Sequence, residues 1–161
     1  MPLRLAKIAL AGSLALFAFA VTFGNITDYG TNFAFVQHVL SMDTISPDST
    51  LRWRAITNPV GWHAAYWVII AGEGLTCAAY VVGTVLLVRN LRASAANFNH
   101  AKSPLYVATA IGFLVWFVGF MVIGGEWFAM WQSTIWNGQE AAFRFYAAVL
   151  GVGIFIALDD R

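Results

Sequence analysis

Residues 104–125 read PLYVATAIGFLVWFVGFMVIGG, a run without Asp, Glu, Lys or Arg until Glu126 closes it. A hydrocarbon core of about 30 Å is crossed by roughly 20 apolar helical residues, so this run is long enough to span a bilayer. Working outward, three more segments fit the same template. Trp62–Val88 carries one charge, Glu73, and Leu5–Gly24 is uncharged from Ile8 onward. Glu140–Leu158 fits only with Arg144 inside the helix and its guanidinium snorkelling outward. Composition agrees. Of 161 residues, 60% are apolar or aromatic and 11% are charged, and the mean hydropathy is +0.69; a soluble domain carries about 25% charged residues. The expected fold is an all-α membrane protein. It is a single domain over residues 1–161, an antiparallel bundle of four transmembrane helices, with short outer-face helices in the first loop, 25–61.

Several function classes fall away on composition. With 9 basic against 8 acidic residues, no polybasic field exists to hold nucleic acid. A single cysteine, Cys77, allows neither a disulfide framework nor a cysteine-rich metal site. No phosphate-cradling glycine loop, zinc-binding histidine pair or Ser-His-Asp pattern is present. The expectation is a protein without catalysis, cofactor or metal. Arg4 and Lys7 ahead of an apolar run with Ala18-Phe19-Ala20 also fit a cleavable leader, but the preferred reading is a retained spanning helix.

Basic residues set the expected orientation, because cytoplasmic loops carry an excess of Lys and Arg. Arg4 and Lys7 precede the first span, and Arg89, Arg92 and Lys102 lie in or beside the Asn90–Ser103 loop. The first loop instead mixes Asp28, Asp43 and Asp48 with Arg52 and Arg54. Both termini are therefore expected in the cytoplasm. Trp53, Trp62, Trp67, Trp127, Trp131 and Trp136 gather at the opposite end, where indole rings favour the headgroup level.

The first loop is too long to be plain coil. From Thr31 to Met42 the apolar residues Phe33, Phe35, Val36, Val39, Leu40 and Met42 leave only a narrow polar stripe of Ala34, Gln37, His38 and Ser41. That pattern predicts an amphipathic helix on the outer surface. Ser46-Pro47-Asp48 reads as a helix start, predicting a second short helix to about Ile56 that Asn58-Pro59 then stops. Phe33, Phe35, His38, Trp53 and Arg54 form a candidate partner surface.

The run from Asn25 to Thr44, NITDYGTNFAFVQHVLSMDT, resembles the signature of an uncharacterised bacterial family of predicted small integral membrane proteins. Leu51-Arg52-Trp53-Arg54-Ala55-Ile56 and the second span with Glu73 match as well, and the resemblance covers essentially the whole chain. It implies four spans in a bacterial cytoplasmic (inner) membrane. It implies no activity, and no site residue carries over from it.

Polar residues at bilayer depth are the strongest functional leads, since each costs a few kcal/mol or more unless paired or hydrated. Glu73 lies near mid-span. Helical spacing aligns Glu73, Cys77, Tyr80 and Thr84, beside a stripe of small residues, Gly72, Thr76, Ala79 and Gly83; both stripes are expected to face protein. In the third span Gly112, Gly119 and Glu126 recur every seven residues and are expected to share a face. Arg144 comes in from the same outer end. Ala11, Ala15 and Ala18 in the first span, and Ala147 with Gly151 in the fourth, add small stripes.

Three readings of Glu73 follow. It pins helix register, protonated or paired with Arg144 or a hydroxyl. It belongs to a proton or ion path with Tyr80, Glu126 and Arg144. Or it faces a groove that meets a partner helix or a lipid or quinone headgroup. His38 and His63 on the outer side could ligate haem iron or copper, but neither sits mid-span, and a hydrogen-bonded or interfacial ring is the plainer reading. The leading functional expectation is a non-catalytic accessory, anchoring or assembly subunit that contacts membrane lipids and other integral membrane subunits or itself. A small proton- or ion-coupled transporter using Glu73, and a quinone- or haem-contacting redox component, stand as alternatives.

Overall fold

A computed structural model describes residues 1–160. The expected spans are all present; the first three run slightly longer than expected and the fourth is shifted by one residue. Helix α1 covers Pro2–Thr27, and α2, the amphipathic helix of the first loop, covers Tyr29–Ser41. Helix α3 covers Pro59–Arg89, α4 is a short turn over Ala95–His100, and α5 covers Ser103–Phe113. The third span continues from α5 as a π-helix, Leu114–Trp127, and α6 covers Gln139–Ala157. All four spans are long and apolar enough to cross a membrane.

Local chemistry explains most boundaries. Pro2 and Pro59 sit at helix starts, where the missing N–H costs nothing. Asn58 caps α3 by accepting a hydrogen bond from the Val60 amide at 2.9 Å. Asn58-Pro59 thus opens a helix instead of ending one. Met42 ends α2 in the left-handed region at φ 52°, an uncommon conformation for a side chain other than glycine.

The second short helix expected from Ser46 does not form; only Arg52–Arg54 make a single 3-10 turn. The start signal there is outbid by tertiary hydrogen bonds. The Ser46 amide donates to Gln132 at 3.3 Å, and Arg52 donates to the carbonyls of Ile45 and Ser46 at 3.1 and 3.5 Å. The Ile56 amide donates back to Leu40 at 2.8 Å. With its backbone groups satisfied from elsewhere, this stretch gains little by coiling.

Packing follows the small residues. Along the α1–α3 contact, Gly12 lies beside Thr84, Ala15 beside Cys77 and Thr22 beside Gly74. Between α3 and the third span, Gly83 abuts Leu105, Tyr80 meets Thr109 at 3.1 Å, Thr76 meets Gly112 and Gly72 meets Val115. Thr109 in turn abuts Gly153 of α6. In each series the numbers rise on one helix and fall on the next, so these neighbours run in opposite directions. Lipid tails are as apolar as the side chains, so close backbone approach and dense contact hold such a bundle together. Both stripes expected to face protein are buried or half-buried.

The core divides into two clusters. One fills the span interior around Tyr80, Leu87, Leu105, Trp116 and Val149. The other lies at the loop end, where α2 docks Val36, Val39 and Leu40 against Tyr66, Ile70, Phe128 and Met130.

The end that carries both termini is tied by charge. Lys7 and Lys102 are fully buried there, and both reach Asp160, at 2.8 and 3.0 Å. Arg4 stands 3.6 Å from the same carboxylate and donates to the carbonyls of Leu91 and Ala93. Asn99 exchanges two hydrogen bonds with the Asp160 backbone, and the Leu158 carbonyl accepts from both lysines. Burial alone would raise the Asp160 carboxyl, but hydrogen bonds and charge from Lys7 and Lys102 together hold it below its ordinary value. Residues read from sequence only as orientation signals thus form an ion cluster linking α1, the α4–α5 corner and the tail after α6.

Candidate functional site

The π-helix sets the geometry of the interior. Its hydrogen bonds close over five residues instead of four, a geometry seen mostly as single turns and often at functional sites; here it persists for 14 residues. The wider turn brings residues four to five apart onto one face. Trp116, Gly124 and Gly125 are buried and Phe120 packs against both core clusters. The seven-residue face expected from the sequence is lost: Gly112 is buried, Gly119 has open space beside it, and Glu126 is exposed.

Facing this segment is a chamber of about 250 Å³ that contains Glu73. Its walls include five aromatic side chains, Phe35, Tyr66, Trp116, Phe120 and Phe145, and two asparagines, Asn25 and Asn32. Glu73 is only 2% exposed. One carboxylate oxygen, Oε2, accepts from the Asn25 amide at 2.7 Å. Asn25 is held in turn by Tyr66, whose hydroxyl donates to the Asn25 backbone and side-chain oxygens at 3.1 and 3.2 Å. Among the described residues nothing donates to the other oxygen, Oε1. The chamber therefore presents the free Glu73 oxygen beside Asn25, Asn32 and Tyr66, with apolar and aromatic side chains making up the rest of its lining. A second chamber of about 230 Å³ adjoins it, sharing Phe35, Val36, Ile69 and Phe120 and otherwise lined by apolar side chains and two glycines.

The other members of the expected intramembrane site are placed apart from it. Arg144 does not reach Glu73; it pairs with Glu140 one turn away, both side chains largely exposed. Glu126 lies exposed at the loop end, and only its backbone carbonyl is engaged, accepting from Arg54 at 3.4 Å. Tyr80 hydrogen-bonds Thr109, Cys77 approaches the Ala15 carbonyl at 3.6 Å, and the Thr84 hydroxyl is buried without a partner. The stripe from Glu73 to Thr84 packs helices, and of its members only Glu73 lines the chamber.

The expected outer-loop surface is likewise dispersed. Phe35 points inward and lines both chambers. Phe33 stacks on His63 at 4.2 Å, and the His63 ring meets the Tyr29 hydroxyl at 2.7 Å. His38 pairs with Asp43 at 2.8 Å and stacks on Trp136 at 4.6 Å. The two histidines belong to separate clusters, and among the described residues no group of three potential metal ligands occurs. Trp53 is 72% exposed, with Arg54 between it and Trp127, 4.6 Å from the latter ring.

Against known proteins, the family described as "Predicted small integral membrane protein (DUF2165)" matches residues 3–159, nearly the whole chain. The chain belongs to the DUF2165 family. No curated protein and no solved structure matches it. As a DUF2165 member with four apolar helices of spanning length, it is an integral membrane protein. What the sequence reading of this DUF2165 chain missed are the partners of Glu73. Tyr66 was within reach, being seven residues, two helical turns, before Glu73 on the same face. Asn25 was hidden by the choice of Gly24 as the end of the first span; the helix runs to Thr27. Trp116 and Phe120, four residues apart, share a face on an α-helix as well; the seven-residue pattern of Gly112, Gly119 and Glu126 drew attention away from them.

Proposed function

We propose that this DUF2165 protein is a non-catalytic membrane protein that binds a small lipid-soluble molecule, with Glu73 receiving its hydrogen-bonding head. The observation that carries this reading is Glu73 Oε1, an unpartnered acceptor facing a walled chamber deep in the bundle. The relay partners expected from the sequence do not reach it: Glu126 and Arg144 lie on exposed surfaces away from the chamber, and Tyr80 bonds Thr109. Arg4, Lys7, Arg89, Arg92 and Lys102 at the end with both termini support a cytoplasmic placement of that end, in a bacterial inner membrane.

The test is extraction of lipid-soluble compounds from protein purified in mild detergent, comparing wild type with Glu73→Leu. The expected result is one compound in near-stoichiometric amount that the variant lacks. Identical extracts from two equally folded proteins would overturn the reading.

A second reading, an accessory subunit of a larger membrane complex, draws on a different face. Ala147, Ala148 and Gly151 of α6 are exposed, with open space at Gly151, and small residues suit contact with a neighbouring helix. A pull-down in gentle detergent that retains stoichiometric larger subunits, and loses them with Gly151→Leu, would support it. A protein that purifies alone would count against it.

A further inference from the structure

Resting on the proposed binding role of Glu73, we infer that the ligand is a hydroquinone with a hydrocarbon tail, its ring in the Glu73 chamber and its chain in the adjoining apolar chamber. Three features argue for this class. With Glu73 ionised its free oxygen accepts a hydrogen bond, which a phenolic hydroxyl donates. Its walls are the rings of Phe35, Trp116, Phe120 and Phe145, and aromatic faces pair by offset or edge contact with another ring. The second chamber has no charged or polar side chain in its lining, so its contents must be hydrocarbon.

The connection between the two chambers fixes how the molecule lies. Phe35, Val36, Ile69 and Phe120 line both, so ring and chain would be divided at this waist. The far rim of the apolar chamber is formed by Val68 and Ile123, which are 71% and 45% exposed. The chain would leave there, between α3 and the π-helix, into the lipid. An anionic phospholipid fits poorly, because neither lining contains a Lys or Arg and the head would face a carboxyl group. A single narrow apolar chamber also suits one chain rather than two.

The probe is decyl-hydroquinone kept reduced under anaerobic conditions and titrated into the full-length protein in nanodiscs, followed by tryptophan fluorescence. The same ring without a tail and n-decanol serve as comparisons. Decyl-hydroquinone is expected to bind saturably and more tightly than either. Glu73→Leu should abolish saturation. Ile123→Trp, at a rim position with room for bulk, should weaken the decyl compound by about tenfold, the effect of losing roughly two buried methylenes, and leave the tail-less ring unchanged. Equal binding of n-decanol and decyl-hydroquinone, both dependent on Glu73, would overturn the hydroquinone assignment while leaving the binding role intact. Absence of any Glu73-dependent compound, here and in the extraction, would overturn both.

Discussion

Replacing Asp160 by Ala would leave Lys7 and Lys102, both fully buried, without their shared counter-charge. The two ammonium groups bond the same carboxylate oxygen, so their mutual repulsion is masked only while Asp160 is ionised. Their remaining acceptors are the Leu158 carbonyl for both and Asn99 for Lys102. Removing one partner of a buried pair costs about 3 to 5 kcal/mol, because the other charge stays desolvated. Asp160→Ala is expected to destabilise the fold by that amount. Cys77 supplies the readout: it is the single cysteine and lies half-buried against α1, so its labelling by a thiol-reactive dye reports opening of the bundle as detergent denaturant is raised. Lys7→Met combined with Lys102→Met and Asp160→Leu should recover most of the loss, since an apolar replacement of a buried ion cluster is often neutral.

The same cluster has a pH signature. The folded Asp160 carboxyl lies below its ordinary value, so its stabilisation is fully present above about pH 4, where an unfolded aspartate is ionised. It is lost as pH falls through the lower folded value. Wild type should therefore lose stability below pH 4 more steeply than the triple apolar variant. An unfolding midpoint for Asp160→Ala within about 1 kcal/mol of wild type would refute the reasoning, as would parallel pH profiles.

Three further substitutions test other parts of the structure. Gly83→Ala puts a methyl group into the Leu105 side chain, with the Leu105 amide nitrogen 3.3 Å away, and should cost about 1 to 3 kcal/mol through overpacking, read by the same thiol-labelling titration. Asn58→Ala removes the cap of α3 and should cost about 1 kcal/mol, whereas Asn58→Ser should recover most of it. Arg144→Gln breaks only the exposed pair with Glu140 and should change stability by no more than about 0.5 kcal/mol; it should also leave any ligand recovered by extraction unchanged, whereas a relay from Arg144 to Glu73 would predict its loss.

The spans were legible in the sequence because they rest on a coarse property. Twenty apolar residues declare a bilayer crossing whatever the details of the turn, and the stripe Gly72, Thr76, Ala79 and Gly83 declares a packed face because small residues at helical spacing have few other uses. The helix in the first loop was legible for the same reason: its apolar face runs unbroken from Phe33 to Met42. The stretch after Ser46 was not, because its outcome depends on Gln132, Arg52 and Leu40. Gln132 is 86 residues from Ser46 and Leu40 lies outside the stretch, so neither enters a local helix-start signal, and the Arg52 contacts fold the segment back on itself.

The candidate site was half legible, and the division falls where helical geometry changes. Glu73 and Tyr66 sit on regular α-helix, so spacing alone places both on one face. Across the chamber the seven-residue pattern misleads: Trp116, Phe120 and Gly124 recur every four residues, on a segment that turns more widely than an α-helix. Projected on an α-helix, residues 112, 119 and 126 align; on the actual backbone the inward positions are Trp116, Phe120, Gly124 and Gly125. The wide turn and the chambers belong together. It brings Phe120 to the waist between them while Gly119 and Gly124, without side chains, leave room in the apolar one.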